Sequence, residues 1–376
     1  MERIRQSTRS RSWELRTRRW AAVWLIALLV AACGGGDGDQ GTADTGDDTA
    51  TTADGQQELD EVTLNLAFLM DATKAPLVLG KEKGFFEEQG IDVTLIEGTG
   101  SSDAVQFLAS KTHDFALPGA QVMAKAVNEG LPVIMVANHI PRGQSGVFVK
   151  ADSGIESLKD LEGKKVVAGL GQQTSVLFSD VLAAADVDLG QVDIEEVNEE
   201  GKNLLFLEGQ YDATITPFES IAVMQEADPD LELRFFPFAD YGYATMSSGL
   251  ATHVDTVQDN PDLVRRMVAA YAQSYLYAAE NPEEMMEVTA QLYPSATQDI
   301  LQKELEVASA LRDTDNTQGQ PFGWMAAEDW EATLAVMVAS EEIDEALPLE
   351  DYYTNEFIGD WEHLSSSGPY VDLFGG

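Results

Sequence analysis

The sequence predicts a two-lobed α/β protein with a ligand cleft between its lobes. Three observations carry that reading. Strand-like and helix-like segments alternate from Val62 to Ala137. The alternation starts again at Val147 and runs to Phe235. From Pro261 onward the pattern is almost wholly helical. Repeated strand–helix units build a parallel sheet covered by helices on both faces, and two such series build two lobes.

In chain order, Val62–Phe68 reads as a strand and Pro76–Gln89 as a helix, with proline in the first turn and Gly90 as its stop. Asp92–Ile96 is the second strand. The loop Gly98-Thr99-Gly100-Ser101 follows, and Ser101 or Ser102 caps a helix to about Ser110. Phe115–Leu117 is a short buried strand, Gln121–Asn128 a helix ended by Gly130, and Val133–Ala137 a strand. In the second series Val147–Val149 is a strand and Ser157–Gly163 a short helix. Lys165–Ala168 is a strand that runs into the polar loop Gly169–Ser175. Ile194–Val197, Ala213–Ile215 and Leu231–Phe235 are further strands, and Thr245–Ala251 is an extended return. Helices are expected over Pro261–Glu280, Pro282–Leu292, Gln298–Leu311 and Ala326–Val338. The first has its apolar residues near helical spacing. Lobe 1 is placed at 61–140 with 245–376 returning to pack on it, and lobe 2 at 141–244.

The chain opens differently. Seven arginines lie between Arg3 and Arg19, followed by an apolar core, Trp20–Ala32. That core is shorter than the roughly 20 residues a spanning helix needs. It ends at Leu28-Leu29-Val30-Ala31-Ala32-Cys33, small residues before the only cysteine of the chain. The pattern resembles a bacterial lipoprotein signal peptide over 1–32, which implies cleavage, lipidation of Cys33 and a mature protein tethered outside the cell membrane. Arg18-Arg19 leaves export by the Sec or the twin-arginine route open. Residues 33–60 hold Gly, Asp, Thr, Ala and Gln with almost no large apolar residue, the composition of a disordered tether.

Charge narrows the function. Asp and Glu number 65 against 23 Lys and Arg, a net charge of −42. The leader holds seven of the basic residues and two of the acidic ones, so the mature chain is more acidic still. This argues against nucleic acid and anionic lipid as partners. The acids are scattered, without a calcium-loop spacing, and fit a solvated surface suited to high salt. His113, His139, His253 and His363 show no metal-ligand spacing, and no GxSxG motif is present. No catalytic residue, metal or cofactor is expected. His113, before a buried strand, reads as structural.

Several stretches resemble one family. Ala75–Val93 resembles the opening of substrate-binding proteins of ABC importers, and Ser157–Val166 the start of their second lobe. Phe322-Gly323-Trp324-Met325 through Trp330, and Asp351–Phe357, resemble the subgroup related to thiamine-pyrimidine synthases. The resemblance spans roughly 62–358. It implies a periplasmic-binding-protein-like fold of type II. It also implies an extracytoplasmic, monomeric binding protein that delivers a small molecule to an ABC permease. The opening is shared by binders of sulfonates, taurine, nitrate and riboflavin; the C-terminal motifs narrow toward pyrimidine precursors and flavins. The synthase enzymes carry a cysteine-rich stretch and an active-site histidine. With Cys33 the sole cysteine, that chemistry is not expected here.

Ligands of open α/β sheets sit beyond the carboxyl ends of the strands. That rule nominates Met70, Asp71 and Ala72; Thr99, Gly100, Ser101 and Ser102; Pro118, Gly119 and Gln121. From lobe 2 it nominates Gly171, Gln172, Gln173, Thr174 and Ser175, then Thr216, Pro217, Phe218 and Glu219. The crossover adds Asp240, Tyr241 and Tyr243, and the C-terminal region Trp324. Of these, Asp71, Thr99, Ser101, Ser102, Gln121, Gln172, Thr174, Glu219, Asp240, Tyr243 and Trp324 form the expected ligand set. An anion site would want an Arg fork or Lys, and these loops offer only Lys74 and Arg142. Asp71, Glu219 and Asp240 can instead accept from an exocyclic amine, and the aromatics can stack on a ring. An aminopyrimidine therefore fits better than an anion. A flavin or organic anion, a secreted enzyme of pyrimidine synthesis, and a purely structural surface protein are the alternatives, in falling order.

Overall fold

A computed structural model describes residues 59–169, 173–218, 220–228 and 231–365, all within one unit, Gln56–Gly376. The leader, Cys33 and nearly all of the tether lie outside the described residues.

The first series gives β1 (Asp60–Asn65), α1 (Ala75–Glu82), α2 (Phe85–Glu88), β2 (Ile91–Ile96), α3 (Ser101–Ala109), β3 (Phe115–Ala116), α4 (Ala120–Asn128) and β4 (Val133–Asn138). The second gives β5 (Ser145–Lys150), β6 (Lys165–Gly169), α5 (Gln173–Ala184), β7 (Asp193–Val197), α6 (Glu199–Leu207), β8 (Ala213–Pro217), α7 (Ser220–Ala227) and β9 (Leu233–Pro237). The chain then forms β10 (Gly249–His253), α8 (Val254–Asp259), α9 (Pro261–Glu280), α10 (Pro282–Leu292), α11 (Gln298–Ala310) and α12 (Ala327–Ala339).

Two five-stranded sheets result, ordered β2-β1-β3-β10-β4 and β7-β6-β8-β5-β9. Each has the same plan. The fourth strand runs antiparallel to its neighbours, and it is the strand by which the chain arrives from the other sheet. Register fixes what this means. Ser145, the first residue of β5, pairs with Pro217, the last of β8. Gly249, the first of β10, pairs with Asn138, the last of β4. Both crossovers therefore join the carboxyl edge of one sheet to the carboxyl edge of the other. These edges must border a common cleft, the arrangement of a type II periplasmic binding fold.

Apolar burial follows the layers. On one face of the first sheet, Leu64, Leu77, Val264, Met267 and Tyr271 pack α1 and α9 onto β1. On the other, Val105, Leu108, Met123, Trp330 and Leu334 pack α3, α4 and α12. The second sheet is covered by Phe178, Val181 and Leu182 of α5 on one face and by Phe206, Phe218 and Met224 on the other. Two helices serve both sheets. Leu301 of α11 lies in the first sheet's core, while Ala310 lies in the second's. In α12, Trp330 faces the first and Val336 the second.

Three local expectations are corrected. The helix expected over Pro76–Gln89 breaks at Gly84, whose φ of 79° ends α1 and lets α2 start at a new angle. No serine side chain caps α3; its N-cap is Gly100. The short helix over Ser157–Gly163 is a 3-10 turn, Leu158–Leu161, opened by a capping box between Ser157 and Asp160.

Candidate functional site

The carboxyl edge of the first sheet is shaped by a tight turn after β1. Asn65 turns its side-chain oxygen to the N–H of Ala67, at 2.8 Å, while its amide nitrogen meets His113 Nδ1 at 3.0 Å. Ala67 takes a left-handed φ of 62°. Its carbonyl accepts from Gly100 N–H, and the Phe68 carbonyl from Gly98 N–H. A side chain at Gly98 would meet the Ala67 backbone at 2.6 Å, so only glycine permits this approach. The turn leaves Phe68 and Leu69 at 49% and 66% exposure on the rim of the cleft. An aromatic ring on open water costs free energy and offers a face for a ring-shaped ligand. Neither residue belongs to the expected set. The signal was a strand that ends in Phe68-Leu69-Met70 rather than in polar residues.

Asp71, three residues on, is already engaged. Its carboxylate takes an ion pair from Lys74 and hydrogen bonds from Thr73 N–H and Oγ1. Burial raises its pKa, but Lys74 and the Thr73 donors outweigh burial and hold it below the usual carboxylate value. The charge of Lys74 is thereby neutralised. Next to it, Tyr275 Oη donates to Thr73 O at 2.6 Å, and Tyr271 Oη lies 2.7 Å from His139 Nδ1. Glu304 accepts from Ala72 N–H at 2.9 Å, and burial raises its carboxyl to about 7. His139 is buried, which together with the Lys74 charge lowers its imidazole to about 3.

The other expected residues divide. Ser101 is buried and accepts from Gly119 N–H at 3.0 Å, which ties the ends of β2 and β3 together. Thr99 donates to Asp103. Ser102 is exposed, and Gln121 is half-buried near the start of α4. Asp240 is exposed on the return crossover; partial desolvation raises its pKa, opposed by the charge of Arg142. Arg142 itself donates from Nε to Asp313 O at 3.0 Å. Tyr241 and Tyr243 pack on the second sheet's core. Gln172 and Glu219 lie outside the described residues, as does the side chain of Thr174. The expected set is thus not one cluster. Asp71 joins the Lys74–Tyr275–His139 group, Ser101 joins Gly119, and Asp240 joins Arg142.

One pocket opens where α9, α10 and α11 meet the first crossover, and a second lies between that crossover and the C-terminal segment. The first, of about 20 Å³, is lined by Thr73, His139, Tyr275, Leu305, Arg312 and Phe322 among others. The other, of about 10 Å³, is lined by Asn138, Arg312, Thr317, Phe322, Trp324 and His363 among others. Trp324 is therefore the expected aromatic that the structure sets in a pocket wall. Among the described residues no group of three His, Cys, Asp or Glu could hold a metal ion, and no helix is long and apolar enough to cross a membrane.

Comparison with known proteins adds four findings. The family described as "NMT1/THI5 like" matches residues 71–285. The formylaminopyrimidine-binding protein of Halalkalibacterium halodurans is 25% identical over 310 residues, 81% of this chain and 92% of its own. The 4-amino-5-hydroxymethyl-2-methylpyrimidine phosphate synthase of Legionella pneumophila is 22% identical over 318 residues, 83% and 94% respectively. Among solved structures, the periplasmic sulfonate-binding protein SsuA of Methylobacillus flagellatus superposes with a TM-score of 0.61 at 20% identity, over 80% of this chain and 93% of that one.

Proposed function

The chain belongs to the NMT1/THI5-like family, and from that membership we propose that it is a solute-binding protein of an ABC importer for a small heterocycle such as a thiamine pyrimidine precursor. The observation that carries this reading is the pair of strand edges that both crossovers turn toward one cleft, with Phe68 and Leu69 bare on its rim. Such a site gains from closing on a flat ring, because closure buries the ring against apolar surface that is otherwise wet. Carboxylates at Asp71, Glu219 and Asp240 would accept from an exocyclic amine, with Trp324 and Tyr243 as further ring contacts. Glu219 and Asp240 carry more of this than Asp71, which already serves Lys74.

The reading is of a carrier and not of an enzyme. A chain whose sole cysteine is Cys33 lacks the cysteine-rich stretch of the resembling synthases. The lobes are 61–140 with 245–376, and 141–244. Lipid on Cys33 would hold the protein at the outer face of the membrane beside its permease. Replacing Cys33 with serine should then release the protein from the membrane fraction.

The function is tested by thermal shift on the mature protein. The panel is hydroxymethyl-aminomethylpyrimidine, formylaminopyrimidine, thiamine, riboflavin, taurine and nitrate. A ligand at 100 times its Kd adds about 2.7 kcal/mol of stability. A pyrimidine should raise the Tm, and Phe68→Ala should abolish the rise. A response to riboflavin or to taurine alone would reassign the ligand.

A further inference from the structure

Ala67 is a non-glycine residue at φ 62°, and Phe68 N–H donates to Leu66 O at 2.7 Å across it. A bond from the third residue to the first, with positive φ between them, makes a γ-turn of the rarer and strained hand. Such strain persists only where surrounding groups hold it. Three bonds hold it: Gly100 N–H to Ala67 O, Gly98 N–H to Phe68 O, and Ala67 N–H to Asn65 Oδ1 at 2.8 Å. The turn so held sets Phe68 on the rim of the cleft.

The third bond differs from the other two, because it depends on the state of a histidine. A backbone N–H can only donate, so the Asn65 amide presents its oxygen to Ala67 and its nitrogen to His113 Nδ1, 3.0 Å away. An amide NH2 group also can only donate. His113 Nδ1 must therefore accept, which requires a neutral ring with its proton on Nε2. Asn65 is buried, so neither end of its amide can turn to bulk water. His113 is half-buried, and a proton reaches it from solvent. A proton on Nδ1 would set two donors face to face. The amide relieves that by turning over. Its oxygen then accepts from the imidazolium in a charge-assisted bond, while Ala67 N–H faces an NH2 group and loses its acceptor. One hydrogen bond replaces another, and the one given up is the tie on the strained turn.

We propose that Asn65 and His113 are positioning residues that couple Phe68, and with it the binding of a ring, to pH. This rests on the reading of Phe68 as a ring contact. The neutral histidine holds the turn, and the protonated histidine releases it. The charged groups around His113 are engaged elsewhere. Lys111 pairs with Asp255 at 2.7 Å, and the Asp114 carboxylate accepts from Thr63 N–H and Oγ1. On β10, His253 Nδ1 accepts from Asp255 N–H. From α3 the imidazole meets the Phe107 ring, with 4.8 Å between centroids.

The test compares the wild-type mature protein with His113→Gln and Asn65→Ala at constant ionic strength, across about pH 5 to 8, where an imidazole changes charge. Formylaminopyrimidine is the ring probe, titrated by calorimetry, and hydrogen exchange of the Ala67 amide is followed without it. The glutamine of His113→Gln offers Asn65 an acceptor and takes up no proton. Other groups, and the probe itself, titrate alike in all three experiments, so the comparison isolates His113. Toward the acid end the wild type should lose about fivefold more affinity than His113→Gln, the worth of one net hydrogen bond, and Ala67 protection should fall with it. Asn65→Ala should bind about fivefold more weakly than His113→Gln throughout, with Ala67 unprotected at both ends. Equal pH profiles for the wild type and His113→Gln would overturn the proposal, as would Ala67 protection that survives at the acid end. Protection that falls while affinity follows His113→Gln would break the link to binding. Failure of formylaminopyrimidine to bind the wild type at any pH would count against the ring reading and not the switch, which then stands or falls on Ala67 exchange.

Discussion

At the scale of residues, the group beneath β1 holds two protonation states opposite to those of the free chain. Glu304 titrates near 7 and His139 near 3, against ordinary values of 4.5 and 6.5. A carboxyl raised in the fold contributes stability that is complete below 4.5 and is lost as pH rises toward 7. An imidazole lowered in the fold contributes stability that is complete above 6.5 and is lost as pH falls toward 3. Between about 4.5 and 6.5 the folded protein keeps its proton on Glu304, whereas the unfolded chain keeps one on His139. Net proton uptake is nearly equal in the two states, so the slopes largely cancel. The wild type should therefore show a nearly flat stability across that window in denaturant titrations. Glu304→Gln should uncover the His139 slope, a loss of roughly 1.4 kcal/mol per pH unit on acidification. His139→Gln should uncover the opposite slope, of similar size, from Glu304. Parallel pH profiles for the two variants would refute this coupling.

At the scale of elements, the contact of α1 with α9 is set by one missing side chain. A Cβ at Gly80 would lie 1.8 Å from Ser274 Oγ and 2.5 Å from its Cβ. Ser274 is buried and turns its hydroxyl to Ala270 O within α9, so it has nowhere to move. Gly80→Ala gains helix propensity, close to 1 kcal/mol, but overpacking costs about 1 to 3 kcal/mol. It should destabilise, and Ser274→Gly should restore most of the loss in a double-mutant cycle. Additive effects of the two changes would mean that the helices do not meet there. The same elements show what the sequence could and could not reveal. Strand and helix order, and the ends of α9 and α10, follow from apolar spacing and proline at the first turn. The break at Gly84 was hidden because a glycine inside a helical pattern reads equally as tolerated or terminal. The site was legible only as strand ends. That Lys74 neutralises Asp71, or that Ser101 binds a backbone N–H, depends on side chains meeting in space, and spacing along the chain carries no trace of it.

At the scale of the whole molecule, closure and charge oppose one another. The sheets are joined by two crossovers and also by α11 and α12, each packed into both cores. These bridges restrict the motion to bending about the crossovers, where a side chain on Gly143 would meet Thr245 O at 2.6 Å. A net charge of −42 spread over the surface drives the two halves apart. Salt reduces this repulsion, since the screening length falls from about 10 Å at 0.1 M to about 3 Å at 1 M. Salt also weakens exposed ion pairs such as Lys111–Asp255 and Arg265–Asp262, but such solvated pairs contribute little. Repulsion among the excess acids should win. The Tm should rise from 0.1 to 1 M NaCl, and ligand-induced compaction in solution scattering should need less ligand at the higher salt. Potassium chloride should act alike, because screening does not distinguish the cations. A Tm that falls with salt would place the surface ion pairs above the self-repulsion and remove the case for a surface suited to brine.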